Sequence, residues 1–145
     1  IVEIAWFFTQ SKWLHRLSLT AWLVVSSAAM TLRMGMTAQF ADILWVLLLA
    51  QALHALTFAA NHTVCVALLS HYFPGQLRGR GQALYTVIAY GFPGVLGGVV
   101  GGLLSDRLGL QSVYWVSMAT ALIGTLASYK VWRLHHPLEK FPGAH

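Results

Sequence analysis

One arginine and two histidines stand inside long apolar runs of this chain, where they can do chemistry that leucine and valine cannot. Arg33 falls in an otherwise uncharged stretch from about Leu19 to Phe40; His54 and His62 fall in the next, from about Ile43 to Leu69. A guanidinium stays charged and presents a planar fork of donors that binds carboxylates bidentately. An unperturbed imidazole titrates near pH 6.5 and so gains and loses a proton under ordinary conditions. Each stretch reaches the roughly 20 residues that a helix needs to cross a bilayer. Charge at that depth costs at least ~2.5 kcal/mol on insertion scales, and as a rule it faces a protein interior or a water-filled path. The combination points to moving something across a membrane.

The second stretch carries more than its histidines. On a helix of 3.6 residues per turn, Gln51, His54, Thr57, Asn61, His62 and Cys65 fall within about 140° of one face. Leu49, Leu53, Leu56, Ala60 and Val64 take the opposite face. That division is expected of a helix lining an aqueous cavity, with its apolar side toward lipid. Interhelical hydrogen bonds, worth about 0.6 kcal/mol each, account for some of these residues, but such a stripe exceeds what packing needs. Arg33 lies roughly 10 Å from the outer end of its stretch, within snorkelling reach, and His54 about 16 Å from the outer end of the next. A short turn between the two stretches puts these side chains about one helical turn apart in depth, so Arg33 is read as facing inward. Glu3, near the start of the chain, is an acid that can neutralise either.

The elements that must hold these residues follow from composition and hydropathy. The chain is 57% hydrophobic and 9% charged, with a mean hydropathy of +0.65; an ordinary soluble domain carries about 25% charged residues. An all-α, polytopic membrane bundle is expected. A helix tail occupies 1–9, a loop 10–18, and full spans lie at about 19–40, 43–69, 83–105 and 112–132, with a loop at 70–82 and a tail at 133–145. The chain opens on Ile1 inside apolar sequence, without a basic n-region or cleavage site, and reads as the C-terminal part of a longer protein rather than a signal peptide. Its single cysteine, Cys65, excludes an internal disulfide and a CxxC metal pair. The net charge of +5 lies in the gaps between apolar runs and forms no basic face for nucleic acid.

Those gaps orient the bundle. Lys12, Arg16, Arg78, Arg80, Lys130, Arg133 and Lys140 fall on one side; Arg107, beside Asp106, falls on the other with Asp42. The positive-inside rule makes the first side cytoplasmic, including the C-terminus. Trp13, Trp45, Tyr72, Tyr114, Trp115 and Trp132 lie near span ends, as an interfacial aromatic belt requires. Pro74-Gly75 stops the second span. The third span differs in kind: Gly91, Gly94, Gly97, Gly98, Gly101 and Gly102 place small residues at GxxxG spacing, and Pro93 interrupts the hydrogen-bond ladder. Gly91, Pro93, Gly94 and Gly98 are read as packing or gating positions, since small residues let helices approach closely and Gly/Pro-interrupted spans recur in transporters.

These residues together resemble the C-terminal half of a major facilitator superfamily permease, from the end of its eighth helix through its twelfth. The likeness is strongest to the phenylpropionate-permease and lactose-permease-like branch. There an intramembrane arginine on the ninth helix is matched by Arg33 within Met30-Thr31-Leu32-Arg33, and a Leu-His pair on the tenth by Leu53-His54. Thr57-Phe58 and His62 resemble the phenylpropionate permease in particular. Gly81-Gln82-Ala83-Leu84-Tyr85 opens the eleventh helix, and Gly102-Leu103-Leu104-Ser105-Asp106-Arg107-Leu108-Gly109 resembles the turn that closes it. Two positions depart from the lactose-permease pattern. Thr57 stands where that permease has a proton-carrying glutamate, and Glu3 sits about one turn nearer the cytoplasm than the sugar-binding acid.

The resemblance implies a secondary transporter, a proton symporter in a bacterial inner membrane, working by alternating access. Its cargo would be a small organic solute such as the aromatic carboxylate 3-phenylpropionate. Arg33 would serve as counter-charge, His54 as a protonatable contact, and Asn61, His62, Gln51, Thr57 and Glu3 as further substrate or coupling positions. The implied partners are substrate, protons, the lipid bilayer and the remaining N-terminal helices, without nucleic acid, cofactor or metal. A sugar or nucleoside proton symporter of the same fold is the alternative, followed by a helical channel. A membrane-embedded metal enzyme ranks below these, because His54, His62 and His71 lack the i, i+4 pair of an HExxH site; no enzyme is expected. The loop charges generate one test. Cysteines placed at Gly79 and at Leu110, in a Cys65→Ser background, will label from opposite sides of the membrane; labelling from one side refutes the spans.

Overall fold

A computed structural model describes residues 16–135, which form helices joined by tight turns, with no strand among the described residues. The expected helix tail at 1–9, with Glu3, and the tail beyond residue 135 lie outside the described residues, as do Lys12, Trp13 and Lys140. Among the described residues, four helices are long and apolar enough to cross a membrane: α1, Leu19–Phe40; α2, Leu44–Tyr72; α3, Leu77–Leu108; and α4, Leu110–His135.

Three helix boundaries have a plain local reason. Ser18 caps α1, its hydroxyl accepting from the Ala21 N–H at 3.2 Å and so satisfying a donor that the first turn leaves open. After α2, Pro74 cannot extend the helix and Gly75 takes φ 64°, a left-handed conformation that costs glycine little. Gly109, at φ 84°, makes the corner between α3 and α4 in the same way. The corner after Gly75 is shorter than the sequence led one to expect. Helix resumes at Leu77, so Arg78 to Gln82 form its first turns rather than a loop. Two glycines there cost helix stability, but only Pro74 forbids it.

α1 lies between α2 and α4 and packs on both, most extensively on α4. Against α4 the contacts are small polar pairs: Ser27 with Ser128 at 3.3 Å, Thr31 with Thr125 at 3.0 Å, and Gln111 Nε2 donating to the Ala38 carbonyl at 2.6 Å. Numbers rising on one helix as they fall on the other make the pair antiparallel. Against α2, Leu19 and Trp22 bury Val64 completely, with Leu23, Ala67 and Leu68 alongside.

That last contact corrects the expected lipid face of α2. Ala60 and Val64 are 0% exposed, covered by protein instead of facing outward. Small and branched residues fit where α1 approaches closely, whereas Leu49, at 54%, does remain exposed. On α3, a Cβ built at Gly94, Gly97, Gly98 or Gly102 meets nothing within 4 Å among the described residues. The expected close packing of that glycine face therefore has no counterpart here; at Gly101 the nearest atom is a Val113 methyl at 3.7 Å.

Gly79 and Gly81 share the first turns of α3 but sit in different surroundings. A Cβ at Gly81 would stand 2.9 Å from Phe73 Cγ, at the rigid base of the ring, while one at Gly79 meets nothing within 4 Å. Gly79→Ala should therefore gain up to ~1 kcal/mol of helix propensity. Gly81→Ala should instead destabilise by about 1 kcal/mol or more from overpacking. Thermal unfolding in detergent will show opposite shifts; equal shifts refute the Gly81–Phe73 contact.

Candidate functional site

α1 and α2 meet through two polar pairs at one interval. Arg33 Nη1 bonds His54 Nδ1, and seven residues away on each helix Ser26 Oγ lies 3.3 Å from Asn61 Oδ1. Seven residues are nearly two full turns of α1, so Ser26 and Arg33 stay on one side of it; their bonds put His54 and Asn61 on the facing side of α2. Between them lies a cavity of about 230 Å³ lined by all four helices. α1 contributes Ser26, Ser27, Met30 and Arg33; α2 contributes His54, Thr57, Phe58 and Asn61; α3 contributes Tyr90; α4 contributes Ala121 and Gly124.

The Arg33–His54 contact has a definite polarity. Guanidinium has donors only, so Nδ1 must accept and the ring proton of a neutral His54 sits on Nε2. The sequence placed these side chains about one turn apart in depth; the structure brings them into direct contact, because the long arginine side chain spans that turn. A proton added at Nδ1 would leave two donors facing each other and break the bond.

Thr57 is 6% exposed and its hydroxyl donates to the His54 carbonyl at 3.0 Å. Its proton is committed to the backbone, which leaves only lone pairs for the cavity. Asn61 Oδ1 lies 3.3 Å from the Ser26 hydroxyl, which is 1% exposed and shares its one proton with the Leu23 carbonyl at 3.1 Å. The Asn61 amide N–H donors have no partner among the described residues.

The six-residue stripe does not survive whole. Gln51 is exposed, and neither it nor Cys65 lines the cavity. His62 turns to α3, its Nδ1 3.1 Å from the Tyr90 hydroxyl, which in turn lies 3.2 Å from the Tyr85 hydroxyl. The cause is local backbone geometry. Residues Leu56–Ala60 form a π turn, whose i→i+5 bonding holds an extra residue and rotates the rest of α2 relative to an ideal α-helix. A second π turn, Val87–Gly91, carries Tyr90 on α3, with the Phe92 N–H reaching back to the Val87 carbonyl. Pro93 comes two residues later. Its missing N–H and the clash of its ring with the carbonyl four residues earlier favour a widened turn there.

An aromatic row results, which periodicity alone did not reveal. His54, Phe58 and His62 succeed one another along α2, with ring centroids 5.7 and 6.3 Å apart, and the second pair is nearly parallel at 7°. Tyr90 meets Phe58 edge-on, at 6.2 Å and 64°. Such contacts are worth about 0.5–1.5 kcal/mol each beyond burial. The sequence signal was the i, i+4, i+8 spacing of three rings, masked by their mixed polarity. Phe58 remains 43% exposed and Tyr90 37%, so the cavity wall is open on that side. Gly91, Pro93, Gly94 and Gly98 lie outside the cavity lining. Among the described residues, no three histidine, cysteine or acidic side chains come together as a metal site would require.

Comparison with known proteins agrees with this bundle. The model of the MFS_1-like family matches residues 1–116. No curated protein and no solved structure matches the chain. A match over most of the length, on a bundle of membrane-length helices, makes this chain a member of the MFS_1-like family of multi-pass membrane transporters.

Proposed function

We propose that this protein is a proton-coupled secondary transporter of a small aromatic carboxylate, of the 3-phenylpropionate type, in a bacterial inner membrane with its C-terminus cytoplasmic. The observation that carries the reading is the Arg33–His54 pair at one end of a cavity whose wall bears the Phe58 and Tyr90 rings. A guanidinium supplies the counter-charge that a carboxylate needs, and the rings supply faces and edges for an aromatic body. The open side of the cavity is where the remaining helices of a full transporter pack, bringing their own contacts to the substrate.

Coupling follows from the hydrogen-bond arithmetic at His54. While Nδ1 is unprotonated, His54 occupies a guanidinium donor. A proton taken up at Nδ1 ends that bond and turns the Arg33 fork free for a carboxylate. Proton and anion then enter together: the imidazolium and guanidinium repel each other until the anion sits between them. Release of the proton restores the Arg33–His54 bond and expels the anion. Thr57, whose hydroxyl proton is bound to the His54 carbonyl, positions this turn and carries no charge.

Uptake by the protein in proteoliposomes tests the reading. Arg33→Lys should reduce 3-phenylpropionate uptake at least ~10-fold, because an ammonium cannot reproduce bidentate contact. Arg33→Ala should nearly abolish uptake while leaving membrane insertion intact. Normal uptake in both variants refutes Arg33 as the counter-charge. His54→Gln should keep exchange down a gradient and lose accumulation driven by an imposed pH gradient. Undiminished accumulation would place the coupling proton elsewhere.

A further inference from the structure

The cavity has a second polar end, and it is neutral. We infer that the preferred substrate is an aromatic carboxylate that also carries a hydrogen-bond acceptor, most simply a hydroxyl, on the ring position farthest from the carboxylate. This inference rests on the anionic-aromatic reading above and adds a second recognition element to it.

Spacing and free valence both point to such a ligand. Arg33 and Ser26 are seven residues apart on α1, as are His54 and Asn61 on α2, which sets the two ends of the cavity about 10 Å apart at ~1.5 Å per residue. A benzene ring with a two-carbon carboxylate arm and an opposite hydroxyl has its polar groups at its two tips and comparable reach. Phe58 sits between the ends, its ring beside His54 on one side and His62 on the other. Tyr90 has its hydroxyl tied to His62 and Tyr85, so it presents ring rather than hydroxyl to the cavity. The middle is therefore aromatic and the far end is Asn61.

Asn61 can donate to a ligand through its amide N–H groups, and its Oδ1 keeps one lone pair beyond the Ser26 contact. The other lone pair of that Oδ1 faces the buried Ser26 hydroxyl, and the N–H groups are unpartnered among the described residues. A donor in an apolar surround discriminates strongly, because a ligand that lacks an acceptor leaves it unsatisfied. An unsubstituted phenyl tip buries that donor against carbon; a phenolic oxygen accepts from it.

The test compares two ligands on one protein. Dissociation constants of 3-phenylpropionate and 3-(4-hydroxyphenyl)propionate are measured on the reconstituted protein, and again on Asn61→Leu and Ser26→Ala. The wild type should favour the hydroxylated acid by about tenfold, the order of one satisfied buried hydrogen bond. Asn61→Leu should bring the ratio to near one, and Ser26→Ala, which frees Oδ1 and lets the amide turn, should lower it partly. A wild-type ratio near one overturns the inference and leaves the anionic-aromatic reading intact. So does an Asn61→Leu protein in which both constants change by the same factor, the signature of a purely structural asparagine. Binding of neither acid overturns that reading and this inference with it. The wild-type ratio decides the matter even if a variant fails to fold.

Discussion

A guanidinium set within an apolar, membrane-length helix needs an acceptor, and here a neighbouring helix supplies it. Charge in such a segment faces a protein interior or a water-filled path, and Arg33 meets an imidazole nitrogen of α2 at the edge of the cavity. That requirement sets the translation of α1 along α2, and the same translation brings Ser26 to Asn61 and Leu19 and Trp22 to Val64. α4 then closes the other flank of α1 through hydroxyl pairs and the Gln111 bond to a backbone carbonyl. Each such bond is worth well under ~1 kcal/mol in a membrane. Their role is register: sliding either helix by one residue would separate every pair at once.

Two widened turns then shape the cavity. Both π turns flank it, and each aims an aromatic ring that an unbroken α-helix would turn elsewhere. Such turns are rare and frequent at functional sites, since they cost backbone regularity that only a local gain offsets. On α3 the gain is relief of the clash at Pro93. On α2 it is the continuous row His54–Phe58–His62 facing Tyr90, with the Thr57 hydroxyl satisfying the His54 carbonyl at the start of the distortion. A helix that already departs from α geometry beside the cavity has a place to bend.

Much was legible in the residues. Apolar length and loop charge predict membrane-length helices whatever their partners, because insertion depends on each segment's own composition. Pro74-Gly75 and Gly109 mark corners by backbone chemistry that needs no tertiary context. Arg33, His54 and Asn61 stood out because charge and amide are costly in lipid, and all three line the cavity. Gln51 and Cys65 stood out by the same logic and do not, while Phe58 and Tyr90, whose apolar character drew no notice as polar outliers, do.

The dividing line is between local and relative geometry. Sequence by itself determined that these segments are helices of membrane length, that the chain turns at Pro74-Gly75, and that a charge within them must find a partner. Only the tertiary structure decided which partner. Whether Arg33 meets His54 depends on how two helices slide and rotate against each other, and Val64 is buried rather than lipid-facing because α1 covers it. Ideal periodicity puts His62 about 80° round the helix from His54; the π turn between them brings its ring into the row behind Phe58, where it meets Tyr90. A rotation of that kind depends on small differences in packing energy among contacts distant in sequence, and no window of residues along one helix contains them.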